Sequence, residues 1–370
     1  MESLDHLDAE EPLIGPTLPK AKESEFFEEN ADNQLEYEVV NGIPCYKEGH
    51  VIGGHVQIFE RIGYDDRVGG TFLGLSADGK ELVVRVAPAD SGAHVVHAEA
   101  GFLCKVEAEK QDWRHFSQVH KLFATDNGYH VTLYFRGGPG LDQCFAMRNK
   151  FSFGTAGRLA SDVLAIIRCA HKHGYFLRNV NMDCFHYDAS SRHLFQADIS
   201  SILKTPSESD ELLHIAAYSG HLDYAPLAHH AGQKVGPRHD LESWFYQLLH
   251  MVWGELPWGA LAYDEVEAVK KALRGVDKFK ELPEQFQKLA SIVFSSSPSI
   301  SPSEYSTLSE LAEQIYTQLG GITDYEENMD FEREPTPEEI PRFVLCRDDE
   351  EGPKEEGSEE ESKDQPKEEE

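Results

Sequence analysis

Basic residues are scarce in this chain. Its 370 residues include 34 Lys and Arg against 66 Asp and Glu, which gives a formal net charge of −32. Direct binding to nucleic acid usually requires a basic stripe that releases counterions from the phosphates. No such stripe is present, so the sequence predicts no nucleic-acid partner.

Long apolar runs and paired cysteines are also missing. No stretch approaches the roughly 18 apolar residues that span a bilayer, and the acidic N-terminus is not followed by the apolar segment of a secretory signal. The six cysteines contain no Cys-x-x-Cys pair, so neither a zinc site nor a disulfide framework is indicated. We therefore expect a soluble intracellular protein, cytoplasmic and/or nuclear, with reduced thiols and no membrane partner.

The acidic charge is concentrated at the two ends. Residues 1–38 carry 12 acids against 2 bases, and residues 324–370 carry 21 against 6. Such segments bury too little apolar area to offset their chain entropy. The sequence therefore predicts an acidic disordered tail over 1–45, a folded domain over 46–322 and a second acidic disordered tail over 323–370.

One apolar island interrupts the second tail. It contains Ile340, Phe343, Val344 and Leu345. Such an island can dock on a protein partner or on the chain's own folded domain. An unstructured remnant explains the pattern equally well, so both interpretations stay open.

The middle of the chain changes from a strand pattern to a helix pattern. Short alternating apolar runs with tight turns fill 51–86, a helix is predicted over 96–109, and a strand over 129–135. After the glycine-rich residues 137–140, helical periodicity recurs at 156–173, 240–253, 264–273, 284–293 and 308–318. This predicts an α+β fold of two lobes, a small β-rich N-lobe over about 46–136 and a larger helical C-lobe over about 137–322.

Three segments in the second half carry a resemblance to a known family. They are 224–229 (YAPLAH), 236–243 (GPRHDLES) and 254–258 (GELPW). Their order and spacing over some 35 residues resemble the casein kinase 1 superfamily, especially its tau-tubulin-kinase-like branch. The resemblance implies a bilobal protein-kinase-like fold and gives a register in which the kinase elements can be located.

The nucleotide-binding elements of that register are altered. Arg85 lies where the family has its phosphate-binding strand lysine, and Glu99 matches the helix glutamate that pairs with it. An Arg85–Glu99 ion pair is expected, which either ties helix to sheet or contacts nucleotide phosphates. The phosphate loop begins with Ile62-Gly63 as in the family, but Asp65 and its neighbours replace the inner glycines, which leaves an ordinary polar hairpin as the other interpretation.

The catalytic elements are altered as well. In the loop 177–185 (LRNVNMDCF), Asn179 replaces the catalytic aspartate, Asn181 the lysine, and Cys184 the magnesium-binding asparagine. An amide is not a base and a thiol is a poor ligand for a hard cation. Asp198 matches the metal-binding aspartate and is the one predicted magnesium ligand, although a turn or cap role is the simpler interpretation.

Two structural positions are kept. Asp240 corresponds to a residue that holds the catalytic-loop backbone from a core helix, and Arg178 keeps the arginine of that loop. We expect a casein-kinase-1-like pseudokinase that acts as a protein-binding, scaffolding or regulatory module and requires no cofactor. The alternatives are a weak or atypical Ser/Thr kinase that uses ATP and magnesium, and a non-catalytic ATP-binding switch.

Overall fold

Strands dominate the first part of the chain and helices the second, as the sequence patterns predict, but short strands that were not predicted lie between residues 175 and 204. The computed structural model describes residues 36–65, 69–88, 93–110, 113–126, 128–205, 218–297, 299–323, 327–334 and 336. The strands are β1 (Glu38–Val40), β2 (Ile43–Cys45), β3 (Val51–Ile52), β4 (Val56–Asp65), β5 (Gly69–Ser76), β6 (Glu81–Pro88), β7 (Val119–Thr125), β8 (Gly128–Tyr134), β9 (Tyr175–Phe176), β10 (Phe185–Asp188), β11 (His193–Gln196) and β12 (Leu203–Lys204). The helices are α1 (Ala93–Glu109), α2 (Leu141–Arg148), α3 (Phe153–Lys172), α4 (Leu227–His230), α5 (Pro237–Trp253), α6 (Tyr263–Ala272), α7 (Asp277–Lys280), α8 (Glu284–Val293) and α9 (Pro302–Gln314).

The N-lobe is built on a six-stranded antiparallel sheet in the order β3-β4-β5-β6-β8-β7. Side chains of β6 alternate between its two faces. Leu82, Val84 and Val86 pack into one small core with Phe72. The opposite face of β6 is the one against which α1 packs. Arg85 belongs to that second face, so the pleat of one strand aims it towards α1.

The C-lobe is organised around α3 and α5. Both helices are buried along most of their length, and Trp244 of α5 donates its indole N–H to the carbonyl of Ala160 in α3 at 2.9 Å. Ser152 caps the start of α3 through the backbone N–H of Thr155. Helix α5 ends at Gly254, whose φ of 84° suits a glycine cap. Fold class and two-lobed arrangement are therefore as predicted.

The connection between the lobes passes very close to β10. Gly138 has a φ of 148°, and a Cβ at this position would lie 2.2 Å from the carbonyl oxygen of Tyr187. A side chain cannot be accommodated there without moving the backbone. The glycine-rich segment 137–140 is thus required by close approach as well as by the change of chain direction.

Two stretches that the sequence assigned to disordered tails pack against the domain. β1 and β2 pair as an antiparallel hairpin, and Ile43 is completely buried, although both strands lie within 1–45. Residues 327–334 lie within 323–370, yet Phe331 packs against Phe151 and Tyr187. The acidic composition of these two segments did not predict their packing, because one or two apolar side chains are enough to bury part of an acidic segment. The island at 340–345 lies outside the described residues.

Candidate functional site

Arg85 and Glu99 meet at the junction of sheet and helix. Nε of Arg85 lies 2.7 Å from Oε1 of Glu99, and the two side chains are 8% and 1% exposed. The predicted ion pair is therefore present. Because both groups are removed from water, the pair ties α1 to β6 in a medium of low polarity.

The rest of the Arg85 guanidinium is bonded within the protein. Nη1 lies 3.0 Å from Oδ1 of Asp198 and donates to Oγ1 of Thr71 at 3.2 Å. Nη2 donates to the carbonyl of Ala197 at 2.8 Å. All three nitrogens of the guanidinium thus have a protein partner, and the planar group links β5, α1 and the segment after β11.

Burial and charge oppose each other in this cluster. Burial is the largest influence on Glu99 and raises its pKa to about 7, against the lowering effect of Arg85. Burial lowers the pKa of Arg85, but the carboxylates of Glu99 and Asp198 outweigh it, and the pKa ends above its ordinary value. Arg85 is therefore permanently charged, and Glu99 depends on it for ionisation near neutral pH.

Asp198 has one carboxylate oxygen committed to the protein. Oδ1 contacts Arg85 and also accepts the backbone N–H of Ser200 at 2.9 Å, which is a local turn bond. The side chain remains 41% exposed. The predicted turn role is thus present in the geometry, and this carboxylate is the most exposed of the three charged groups in the cluster.

The loop 177–185 is fastened to α5. Oδ2 of Asp240 accepts the backbone N–H of Leu177 at 2.6 Å, and Oδ1 accepts that of Arg178 at 2.9 Å. Arg178 has a left-handed φ of 62° and donates Nε–H to the carbonyl of Ser201 at 2.7 Å. Asp240 thus holds the backbone of the loop from α5, and Arg178 links the loop to the segment that follows Asp198.

Two of the three altered residues of the loop, Asn179 and Asn181, hydrogen-bond to each other, and the third, Cys184, is buried in the core. Nδ2 of Asn181 donates to Oδ1 of Asn179 at 2.7 Å, while Oδ1 of Asn181 accepts the backbone N–H of Asp183 at 2.8 Å. Cys184 is buried, and burial raises the pKa of its thiol well above the ordinary value. At neutral pH this sulfur is protonated, so it offers a metal ion neither charge nor an oxygen atom.

The strand pair beside this cluster is irregular. Gly63 of β4 faces Thr71 of β5, and the register shifts twice along the pair. Ile62 is exposed, and the loop tip at 66–68 lies outside the described residues. The space bounded by Gly69, Thr71, Arg85, Glu99 and Ser200 has a volume of about 10 Å³. That volume suits about one water molecule.

Some contacts of the site were missed from the sequence. Thr71 and the carbonyl of Ala197, which accept hydrogen bonds from the Arg85 guanidinium, are two of them. His186 contacts the carbonyl of Gly138 through Nδ1 at 3.0 Å, and burial lowers its pKa, so the ring is neutral and donates its N–H to the interlobe connection. Alternation along β10, in which Phe185 and Tyr187 are buried, was the signal that His186 faces the other way.

The described part of the chain has neither a cluster of metal-ligating side chains nor a helix suited to crossing a membrane. Within it, no group of three or more His, Cys, Asp and Glu side chains converges as a metal site would require. None of the helices there combines the length and apolar character needed to cross a bilayer.

Comparison with known proteins gives distant relatives among kinases. A probable serine/threonine-protein kinase of Dictyostelium discoideum is 24% identical over 289 residues, which cover 74% of this chain and 56% of that protein. Casein kinase I homolog 1 of Saccharomyces cerevisiae is 25% identical over 203 residues, covering 50% and 38%. The serine/threonine-protein kinase spe-6 of Caenorhabditis elegans is 26% identical over 196 residues, covering 49% and 52%.

The matches have limits of length. This chain spans between 38% and 56% of these three relatives. No family model matches the chain. The α+β fold of two lobes is consistent with a bilobal kinase-like fold, and the chain is similar to serine/threonine kinases, casein kinase I homologues among them.

Proposed function

We propose that this chain is a kinase-like protein that has lost efficient phosphoryl transfer and serves as a protein-binding or scaffolding module. The observation that carries the proposal is the closed cluster of Arg85, Glu99 and Asp198. In a kinase the corresponding cation binds phosphates and the corresponding aspartate binds magnesium. Here the two groups neutralise each other across a 3.0 Å contact.

The arrangement of Arg85 opposes nucleotide binding. A phosphate that approached its guanidinium would have to replace Asp198, Thr71 or the carbonyl of Ala197, because these groups hold its two terminal nitrogens. A lysine ammonium is a compact charge on a flexible stem, whereas the guanidinium is planar and held in a fixed orientation. The proposal therefore assigns Arg85 and Glu99 to the scaffold.

The loop opposes catalysis by a separate route. Asn179 is bonded to Asn181 and carries no charge with which to accept a proton. Cys184 is a buried protonated thiol where a hard cation needs oxygen. Of the positions that the resemblance assigns to magnesium, Asp198 alone keeps a carboxylate, and that carboxylate is paired with Arg85, so these residues do not fit a Mg²⁺–ATP complex of the kinase type.

The scaffold around the loop is intact despite these changes. Asp240 still holds the backbone of Leu177 and Arg178, and Arg178 still connects the loop to Ser201. A fold that keeps its structural contacts while its charge-stabilising residues are replaced is better suited to presenting surfaces than to chemistry. This supports a binding function over a decayed, unfolded remnant.

A phosphotransfer assay tests the proposal. The purified full chain is incubated with radiolabelled ATP, with casein and the protein itself as acceptors, in magnesium and in manganese. We expect no transfer above an Asp198→Ala variant. Transfer by the wild type that disappears in Asp198→Ala would identify a weak or atypical kinase and contradict the proposal.

A second measurement separates a scaffold from an ATP-binding switch. A ligand that binds the folded state raises its apparent stability. We expect ATP with magnesium to leave the unfolding temperature of the full chain unchanged. A saturable rise that is lost in Arg85→Ala, while an equally stable variant elsewhere keeps it, would favour the switch.

A further inference from the structure

We propose that the groove behind the interlobe connection binds the chain's own C-terminal segment 340–345. The groove, called here the rear groove, has a volume of about 550 Å³. It is lined by residues from 113–118 (among them Trp113 and Phe116), by residues 134–136 and by the β10–β11 turn with its flanking residues. This inference concerns a surface away from the Arg85 cluster and does not depend on the proposed loss of catalysis.

The rear groove exposes aromatic surface. Trp113 is 53% exposed and Tyr134 is 38% exposed, while Phe116 is buried at the base. Large aromatic side chains in a concave surface are typical anchors for apolar ligand groups. The occupant should therefore contribute a few apolar side chains, as segment 340–345 (IPRFVL) does.

The described part of the C-terminal extension contacts the turn that forms one edge of this groove. The carboxylate of Glu332 accepts hydrogen bonds from Tyr187 and Arg192, each at 2.8 Å. Arg192 stands between Ser191 and His193, which both line the rear groove. The folded part of the C-terminal extension thus places the chain beside one wall of the groove.

This placement is fixed by several contacts. The backbone N–H of Asp330 donates to Oγ1 of Thr155 at 2.9 Å, and its carboxylate accepts the backbone N–H of Ser152 at 2.6 Å. Phe331 packs edge-on against Tyr187 with ring centroids 5.0 Å apart. The extension is therefore held in register where it reaches β10.

The length of the connecting chain is sufficient. Eight residues lie between Glu332 and Ile340, counting the latter, and an extended chain covers at most roughly 26–29 Å over that number. A groove whose wall includes the sequence neighbours of Arg192 is well within this reach. Tethering at such a length gives a high effective concentration, so weak contacts suffice for docking within one chain.

Charge is compatible with this occupant. Glu338 and Glu339 precede the island directly, and Arg114 in the wall of the groove is exposed. Arg136 stacks over Phe195 at 4.3 Å from its ring centroid and pairs with Asp188, so it is held as part of the wall. In the proposed complex the apolar island supplies the contact, and Arg114 is the exposed cation of the lining that suits the acidic residues before the island.

Acrylamide quenching of tryptophan fluorescence in the full chain tests the inference. Trp244 and Trp258 are buried and Trp253 is half-buried, so the exposed Trp113 is the indole most open to the quencher when the groove is empty. We expect quenching to rise by roughly twofold in a Phe343→Asp/Leu345→Asp variant, because the island no longer covers the indole. A Gly352→Asp/Gly357→Asp variant, which places the same two carboxylates outside the island, should quench like the wild type.

Two controls make the result decisive. In a Trp113→Phe background the island variant and its parent should quench equally, which assigns the change to the rear groove. Equal quenching of wild type and island variant with Trp113 in place would overturn the inference. A difference that disappears on dilution would also overturn it, because the occupant would then be the tail of a second copy.

Discussion

Arg85 is the residue on which the geometry of the site depends. Its guanidinium pairs with the carboxylates of Glu99 and Asp198 and donates to Thr71 and to the carbonyl of Ala197. A lysine could not replace it, because a compact ammonium could not contact these four groups at once. Its role is structural, because it supplies the positive charge that pairs with the buried carboxylate of Glu99. Two predictions follow from this pair of charges.

Arg85→Ala should destabilise the fold by about 3–5 kcal/mol, since it leaves the Glu99 carboxylate buried without a partner. Equilibrium urea unfolding of the full chain at neutral pH measures this. Arg85→Lys is the matched control, because it keeps one positive charge and should cost less. A loss no larger in Arg85→Ala than in Arg85→Lys would mean that charge pairing does not stabilise this junction.

Glu99 should give the stability a defined pH dependence. Its pKa is raised to about 7 in the folded chain from an ordinary value of 4.5, so the folded state binds more protons between these values. The contribution of Glu99 is therefore fully present below pH 4.5 and is lost as pH rises through 7. The wild-type minus Glu99→Gln difference in unfolding free energy should fall across this window, and a flat difference would contradict the assignment.

At the scale of elements, α5 determines the conformation of the loop that precedes β10. Asp240 projects from the first turn of α5 and accepts two backbone N–H groups, one of them on the buried residue Leu177. His171 of α3 contacts the same carboxylate at 3.0 Å. One side chain thus joins two helices and the loop.

Asp240→Ala should cost roughly 1–3 kcal/mol for each backbone donor that it leaves without an acceptor. Hydrogen exchange at the amides of Leu177 and Arg178 should accelerate, together with a lower urea midpoint. Asp240→Asn keeps one acceptor oxygen and should lie between the alanine variant and wild type. Unchanged exchange at both amides in the alanine variant would show that water replaces the carboxylate without loss.

At the scale of the whole molecule, segments beyond the predicted domain boundaries complete the core. Ile43 of β2 is buried at one end of the chain, and Phe331 packs on Phe151 and Tyr187 at the other. Glu332 adds bonds to Tyr187 and Arg192. The folded unit therefore extends past both ends of 46–322.

Phe331→Ala should lower the unfolding free energy by about 3–5 kcal/mol, as expected for a large side chain removed from a packed site. Glu334→Ala, on the exposed surface three residues later, should stay within about 0.5 kcal/mol of wild type. Thermal and urea unfolding of both full-chain variants provide the comparison. Equal stability of the two variants would show that residues 327–334 do not contribute to the folded unit.

The sequence determined the fold class because periodicity is a local property. α8 was predicted with its observed bounds, and α3 and α5 to within three residues at their starts, since apolar spacing and caps act over one or two turns. The Arg85–Glu99 pair and the contact of Asp240 also followed from the family register. These two contacts could be predicted because the resemblance indicates which positions face each other, and the residues at those positions can be read from the sequence.

Tertiary structure alone decided which groups those residues contact and how deeply they are buried. The contacts of Arg85 with Thr71 and Ala197 join parts of the chain 14 and 112 residues distant, and no local pattern signals them. The raised pKa values of Glu99 and Cys184 come from burial by elements far along the chain. Burial of Phe331 arises likewise from packing against Phe151, which precedes α3, and Tyr187 of β10. Sequence fixes which groups are present, but desolvation and long-range contact decide which of them remain available to a ligand.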